Sequence, residues 1–213
     1  MHALLNSSLA AVITLSAAAS IALGDAARVD LAMAGAPGSL LPVVQTLDLQ
    51  RYSGTWYEHA RLPNRFQRDC AANVVANYTV RSDGGLTVVN GCVDRQGARL
   101  QVDGEGRKVP AIGAPQGQLE VRFAPRWLSW LSVVWGDYWV IAIDDNYRTA
   151  LVGTPDRENL WLLSRSPTLL PAELKQWLDR AAGYGFPMDK VVLTPQTGEA
   201  VSLSVDPAPS RAR

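Results

Sequence analysis

From residue 47 onward, apolar and polar side chains alternate in short runs broken by turn residues, as half-buried β-strands require. The runs 54–60, 73–81, 86–93, 99–109, 117–123, 138–143, 149–152 and 160–164 make eight candidate strands. Between the second and third, Ser82-Asp83-Gly84-Gly85 supplies residues that tolerate positive φ, which marks a hairpin. No helical period interrupts the series, so the pattern predicts an antiparallel all-β sandwich or barrel.

The period changes after residue 165. Ser166-Pro167 stops the last strand, and Leu174, Trp177, Leu178 and Ala181 then recur at i, i+3, i+4 and i+7. That spacing draws one apolar stripe along a helix. Pro171 stands at its start and Gly183 at its end, as helix punctuation predicts. Such a stripe must be covered, and the wall of the β structure is the available partner. Residues 190–193 add a short edge strand, and residues 198–213 read as a disordered tail.

The first 46 residues follow neither period. Residues 4–23 carry no charged side chain, and small residues crowd the end of the run at Ala17-Ala18-Ala19-Ser20 and Ala22-Leu23-Gly24. This predicts a signal peptide over residues 1–24, although only His2 precedes the run where a basic segment is usual. An uncleaved membrane anchor is the competing reading. No cysteine lies near the small-residue cluster, so a lipoprotein anchor on cysteine is not expected. Residues 25–46, rich in Ala, Gly, Pro and Leu, read as a linker.

Composition narrows the function. Lys+Arg and Asp+Glu number 20 each, so no basic excess points to nucleic acid and no acidic block to a solvating tail. Seven tryptophans in a chain only 19% charged favour a cavity or a lipid-facing surface. Cys70 and Cys92 are the only cysteines, too few for a structural zinc site and enough for one disulfide in an oxidising compartment; two buried free thiols are the alternative. Only His59 remains outside the leader, and alternation from an inward Trp56 turns it outward, which disfavours a catalytic triad or a haem ligand. No metal or cofactor is expected. Glu58 either faces inward or pairs with a neighbour such as Arg61.

Three local motifs carry a family likeness. They are Gly54-Thr55-Trp56, then Asp144-Asp145-Asn146-Tyr147 with Ala150-Leu151-Val152, then Arg165 after an apolar strand. In this order and separation they resemble the lipocalin signature over about residues 47–197. Ala60-Arg61, Asn64-Arg65-Phe66 and Gly153-Thr154-Pro155-Asp156-Arg157 look most like the bacterial outer-membrane-type lipocalins, relatives of apolipoprotein D. The resemblance implies an eight-stranded up-and-down barrel around a calyx, with the C-terminal helix packed on its wall. It also implies that Trp56 plugs the closed end, that Arg165 stacks on it, and that Gly54 lets the first strand bend.

If Arg165 points inward, period 2 puts Leu163 and Trp161 in the calyx, unless a bulge shifts the phase. Residues 127–139 carry four tryptophans and one acid at the end the family leaves open. Trp135 and Trp139, with Tyr138, are read as capping a ligand, while Trp127 and Trp130 touch a lipid surface. Packing of that loop on itself or in a homodimer is the other reading. Phe66 and Arg65 fall in the loop 62–72 that arches over the mouth in the family, and a Cys70–Cys92 bond would tie that loop to the rim.

The expected function is therefore an exported binding protein, periplasmic or outer-membrane associated. It holds a fatty acid, lysophospholipid or similar hydrophobic ligand for storage, transport or envelope maintenance. Arg65 or Arg126 would meet the ligand's head group. The alternatives are an interaction protein docking through its Trp-rich loop, and a lipid-modifying enzyme.

Overall fold

The computed structural model describes residues 40–125, 128–198, 201 and 203. The expected signal peptide, most of the expected linker, most of the expected tail, Arg126 and Trp127 lie outside the described residues. Nine strands form one sheet: β1 (Gly54–Arg61), β2 (Ala72–Val80), β3 (Leu86–Val93), β4 (Arg99–Lys108), β5 (Gln118–Arg122), β6 (Gly136–Ile143), β7 (Thr149–Gly153), β8 (Leu160–Ser164) and β9 (Val192–Leu193). Neighbours in sequence pair antiparallel from β1 to β8, and β1 pairs with both β2 and β8. The first eight strands are therefore a closed up-and-down barrel, and closure leaves them no free edge. The short β9 adds to β1 at Ala60 and Arg61.

Helix α1 (Leu49–Tyr52) is a single turn that strand alternation did not indicate. The Asp48 carboxylate caps it by accepting from the Gln50 and Arg51 amides at 2.8 and 3.2 Å. Helix α2 (Pro171–Gly183) has the expected bounds. Trp177 and Ala181 are buried, and Leu174 and Leu178 pack beside them on Ile141, Leu151, Leu160 and Leu162. These are the outward faces of β6, β7 and β8. The inward faces, including Val140, Ala150, Val152 and Leu163, belong to a separate cluster inside the barrel. Every residue of β7 is buried because the helix covers one face and the barrel interior the other.

The described end of the expected linker is docked on the barrel. Leu41 is buried in the cluster under α2. The Val44 amide donates to Val140 O at 3.0 Å, and the Gly117 amide donates to Val44 O at 2.9 Å. A Cβ on Gly117 would meet those two carbonyl oxygens at 2.8 and 2.9 Å, so only glycine admits the segment between β5 and β6.

One extra residue in β1 sets the chemistry of the interior. Glu58 pairs with Leu163 and Ala60 with Leu162, so His59 is a bulge. The phase flips there: Trp56 and Glu58 face in, Ala60 packs outward under the helix, and Arg61, paired with Trp161, returns to the inner side. Glu58 and Arg61 can then form the 2.6 Å ion pair that strict alternation would forbid. His59 lies on the outer side with Ser164, as expected, but is buried there. Its Nε2 lies 2.9 Å from Ser164 Oγ and 3.0 Å from Ser166 O, and burial lowers its pKa.

The closed end is sealed by Trp56 and Arg165. The guanidinium carbon sits 4.0 Å from the indole centroid. Its N–H groups donate to Thr55 O at 2.8 Å, to Ser53 O and Arg51 O at 2.7 Å, and to Tyr147 O at 3.3 Å. Gly54, at φ 94°, bends the chain into the barrel, and a Cβ there would lie 3.2 Å from Arg165 Nη1. At the other end a disulfide joins Cys70, in the loop after β1, to Cys92 near the end of β3, with 5.6 Å between Cα atoms.

Arg165→Ala strips four carbonyl acceptors of their donor and unstacks Trp56, so it is expected to lower stability by about 3 kcal/mol in urea unfolding. Arg165→Lys should recover only a minor part, because an ammonium cannot span those carbonyls. The disulfide closes a 22-residue segment and is expected to contribute about 3 kcal/mol. Reduction should expose Arg65 and Arg68 to trypsin at urea concentrations where the β signal in circular dichroism is still native. Simultaneous loss of protection and of that signal would show that the bond holds the barrel rather than its lid.

Candidate functional site: the barrel cavity

Inside the barrel lies a cavity of about 550 Å³. Its walls are Val74, Val75 and Ala76 from β2, Val88 from β3, Val121 from β5 and Leu163 from β8. Alternation turns Val74, Ala76, Val88, Val121 and Leu163 inward, while Val75 stands where the register of β2 shifts against β3. Tyr78 and Tyr138 line it toward the closed end, with Tyr52 buried behind them. The Tyr138 hydroxyl lies 2.8 Å from both the Tyr52 and Tyr78 hydroxyls. Burial pushes the Tyr78 phenol up to about 12 and those of Tyr52 and Tyr138 well above the ordinary tyrosine value. All three hydroxyls therefore stay neutral and satisfy one another. Aromatic rings run from the plug to the cavity in close succession: Trp56 to Tyr52 at 5.0 Å, Tyr52 to Tyr78 at 5.5 Å, Tyr78 to Tyr138 at 6.0 Å, Tyr138 to Trp161 at 6.4 Å.

The loop between β1 and β2 is latched to the wall by one amide. Gln67 Oε1 accepts from Trp161 Nε1 at 2.7 Å and from Asn64 Nδ2 at 2.8 Å, while Gln67 Nε2 donates to Glu58 at 2.6 Å. Glu58 is 2% exposed, and its carboxylate also accepts from Arg61 and Thr194. This buried charge is thus compensated by its neighbours. The network ties the loop, the bulged strand and the residue after β9 to one point on the cavity wall.

Of the residues expected to meet a ligand, Trp161, Tyr138 and Phe66 line the cavity, Phe66 at its mouth with 65% exposure. Arg65 also lines it, over the Phe66 ring at 4.9 Å. Trp135 borders it, but its ring is already occupied: Arg107 lies 3.9 Å and Arg122 5.2 Å from the centroid, and Nε1 donates to Ser129 O. Arg107 and Glu120 oppose each other across β4 and β5 and hold a 2.8 Å ion pair, so the face of the sheet they share carries a charged cluster with Trp135 stacked in it. Trp139 is a correction. Next to inward Tyr138, alternation puts it on the outer face of β6, where it packs into the cluster under α2 and not into the calyx. Trp130 is 77% exposed in the loop before β6 and does not line the cavity.

Tyr52 and Tyr78 are not among the residues that the sequence assigns to a ligand. The alternation of Val74, Ala76 and Tyr78 was a signal for the second, whereas Tyr52 sits in a one-turn helix without any period. Asp137 and Asp156 stand at the cavity edge, and burial, with Glu120 and Asp156 nearby, raises the pKa of Asp137. The Ser164–His59 contact borders no cavity, and Ser164 Oγ donates to Ser166 O at 2.6 Å, so it braces the wall between strands.

A family model described as a lipocalin-like domain matches residues 47–196. The chain is 40% identical over 158 residues to the outer membrane lipoprotein Blc of Escherichia coli (strain K12), covering 73% of this chain and 83% of that protein. It is 34% identical over 172 residues to temperature-induced lipocalin-1 of Arabidopsis thaliana, covering 80% and 91%. Among solved structures, insecticyanin from the tobacco hornworm Manduca sexta superposes with a TM-score of 0.57 at 22% identity, covering 75% of this chain and 86% of that one. The match to the domain over most of the chain, the closed barrel and the plugged base agree: this chain belongs to the lipocalin family, and is similar to its bacterial outer-membrane members.

Proposed function

We propose that the protein binds a fatty acid, lysophospholipid or similar single-chain amphiphile in its cavity and holds it for storage, transport or envelope maintenance. The observation that carries this reading is the cavity itself. It has about 550 Å³ of space, aliphatic walls, and tyrosines at the closed end whose hydroxyls are satisfied among themselves. Pockets of this size and lining suit a ligand whose tail is buried and whose few polar groups set its orientation. Burial of the tail contributes ~0.8 kcal/mol per CH₂. Arg65, which lines the cavity at its mouth, would meet an anionic head group in this reading. The disulfide suits an exported protein, and similarity to an outer membrane lipoprotein supports an envelope location.

A lipid surface is the second partner in this reading. Phe66, Trp130 and Val133 are 65%, 77% and 85% exposed, and Phe66 and Val133 also line the mouth. Exposed aromatic and aliphatic side chains around an opening suit contact with the interfacial layer of a bilayer, where Trp is favoured. Trp127 was expected to share that contact.

Native mass spectrometry of protein purified from its own envelope fraction, followed by lipid extraction, is expected to show a co-purifying acyl lipid. An empty protein that also fails to bind hexadecanoic acid and lysophospholipid would overturn the carrier reading. For the surface contact, Trp130→Ser is expected to weaken flotation with phosphatidylcholine–phosphatidylglycerol vesicles several-fold while leaving affinity for hexadecanoic acid intact. Unchanged flotation would remove the rim from the account.

A further inference from the structure

Among the described residues, most polar groups inside the barrel are satisfied by one another. Glu58 is held by Arg61, Gln67 and Thr194, Gln67 by Glu58, Trp161 and Asn64, and Tyr78 by Tyr138. Two cavity-bordering side chains have a buried polar atom without a hydrogen bond, Asn90 Oδ1 and Arg122 Nε. Arg122 is otherwise engaged, by the Glu105 carboxylate and by Ala124 O at 2.6 Å. Asn90 makes no side-chain hydrogen bond among the described residues.

Its position in the strand makes this an odd residue for the fold alone. Leu86 and Val88 precede it on the inward face of β3, both in the interior cluster, and the cavity-lining residue opposite it on β2 is the small, apolar Ala76. An aliphatic residue at 90 would continue the wall and cost nothing in unpaired polarity. Native proteins leave few buried polar atoms unpaired, and a binding cavity is one setting in which such an atom waits for a partner.

Resting on the carrier reading, we propose that Asn90 is a specificity-determining residue that hydrogen-bonds a hydroxyl group of the bound lipid. An amide both donates and accepts, and so does a hydroxyl. The depth fits. β3 runs from the closed end toward the mouth, so Asn90 lies above Leu86 and Val88, past the region that takes the end of an acyl tail and below Arg65 and Phe66. A hydroxyl near the polar end of a single-chain lipid reaches that level while the head group stays at the mouth. The amide carries no charge, which favours a neutral group there over a second anion. A plain acyl chain laid across Asn90 strips the amide of solvent and returns no hydrogen bond, so the same residue selects against it. The hydroxyl has two sources, a hydroxylated acyl chain or the glycerol of a monoacyl glycerolipid.

Affinities of the wild-type protein and Asn90→Val for hexadecanoic acid, 3-hydroxyhexadecanoic acid and 1-palmitoylglycerol decide the matter, read by competition with a fluorescent fatty acid. Valine suits a β-strand and matches the wall, so the variant should fold, and near-ultraviolet circular dichroism checks that it has. The wild type is expected to prefer at least one hydroxyl-bearing ligand over hexadecanoic acid by about tenfold, the effect of one well-placed hydrogen bond. Asn90→Val should erase that preference and bind hexadecanoic acid at least as tightly as the wild type. Which of the two hydroxylated ligands loses its advantage identifies the source. Equal preference ratios in both proteins, with all three lipids bound, would overturn the role of Asn90 and leave the carrier reading standing. Binding of none of the three by either protein, with no binding of lysophospholipid either, would overturn both.

Discussion

Closure of the sheet on β1 is the constraint from which the rest follows. Because β1 pairs with β2 on one side and β8 on the other, its side chains serve both halves of the barrel. Eight strands closed this way leave an interior just wide enough for side chains or one small ligand. Whether it fills or stays hollow is decided by what stands at each level. Toward the closed end Trp56, Tyr52, Tyr78 and Leu86 fill it. Higher up the inward positions are Val, Ala and Asn on β2 and β3, together with Gly104 on β4, whose small size leaves room that Phe123 partly takes. The cavity is the part of the interior that these smaller residues do not reach.

The plug at the base makes the hollow affordable. Arg165 gathers carbonyls from the chain around α1, the start of β1 and the turn before β7, so one side chain fastens three segments at the point where the barrel would otherwise fray. The indole beneath it passes the contact upward through stacked tyrosines to the cavity. The base carries the packing while the mouth remains open to an incoming molecule. The mouth is braced differently, by the disulfide at Cys70 and by the Gln67 latch, which fasten the loop just after Phe66 and leave that residue exposed.

The bulge at His59 links these two ends. Without the extra residue, Glu58 and Arg61 would lie on opposite faces, and a carboxylate on the cavity wall would lack its cation. With it, the ion pair forms inside and Gln67 gains a charged acceptor, while Ala60 turns outward to make room under α2. A local irregularity of the backbone therefore sets both the electrostatics of the calyx and the seat of the helix.

Much of this was legible in the chain itself. The eight strands, the helix with its stripe, the Trp56–Arg165 plug and the inward Trp161 follow from period 2, period 3.6 and three motifs, because side-chain direction in a regular element depends on position alone. What alternation could not reach depended on the third dimension. Trp139 and Tyr138 are neighbours with similar side chains, and only the placement of α2 shows that the outer face of β6 is as apolar a home as the inner one. Trp135 was assigned to the ligand because it is aromatic and near the mouth, yet two arginines from across the sheet claim its ring. His59 sits where a bulge, invisible to composition, changes the phase. The unpaired amide of Asn90 is the clearest case. A single Asn within a Val-rich strand is unremarkable in sequence, and it becomes a question of recognition only when the folded wall around it offers no partner.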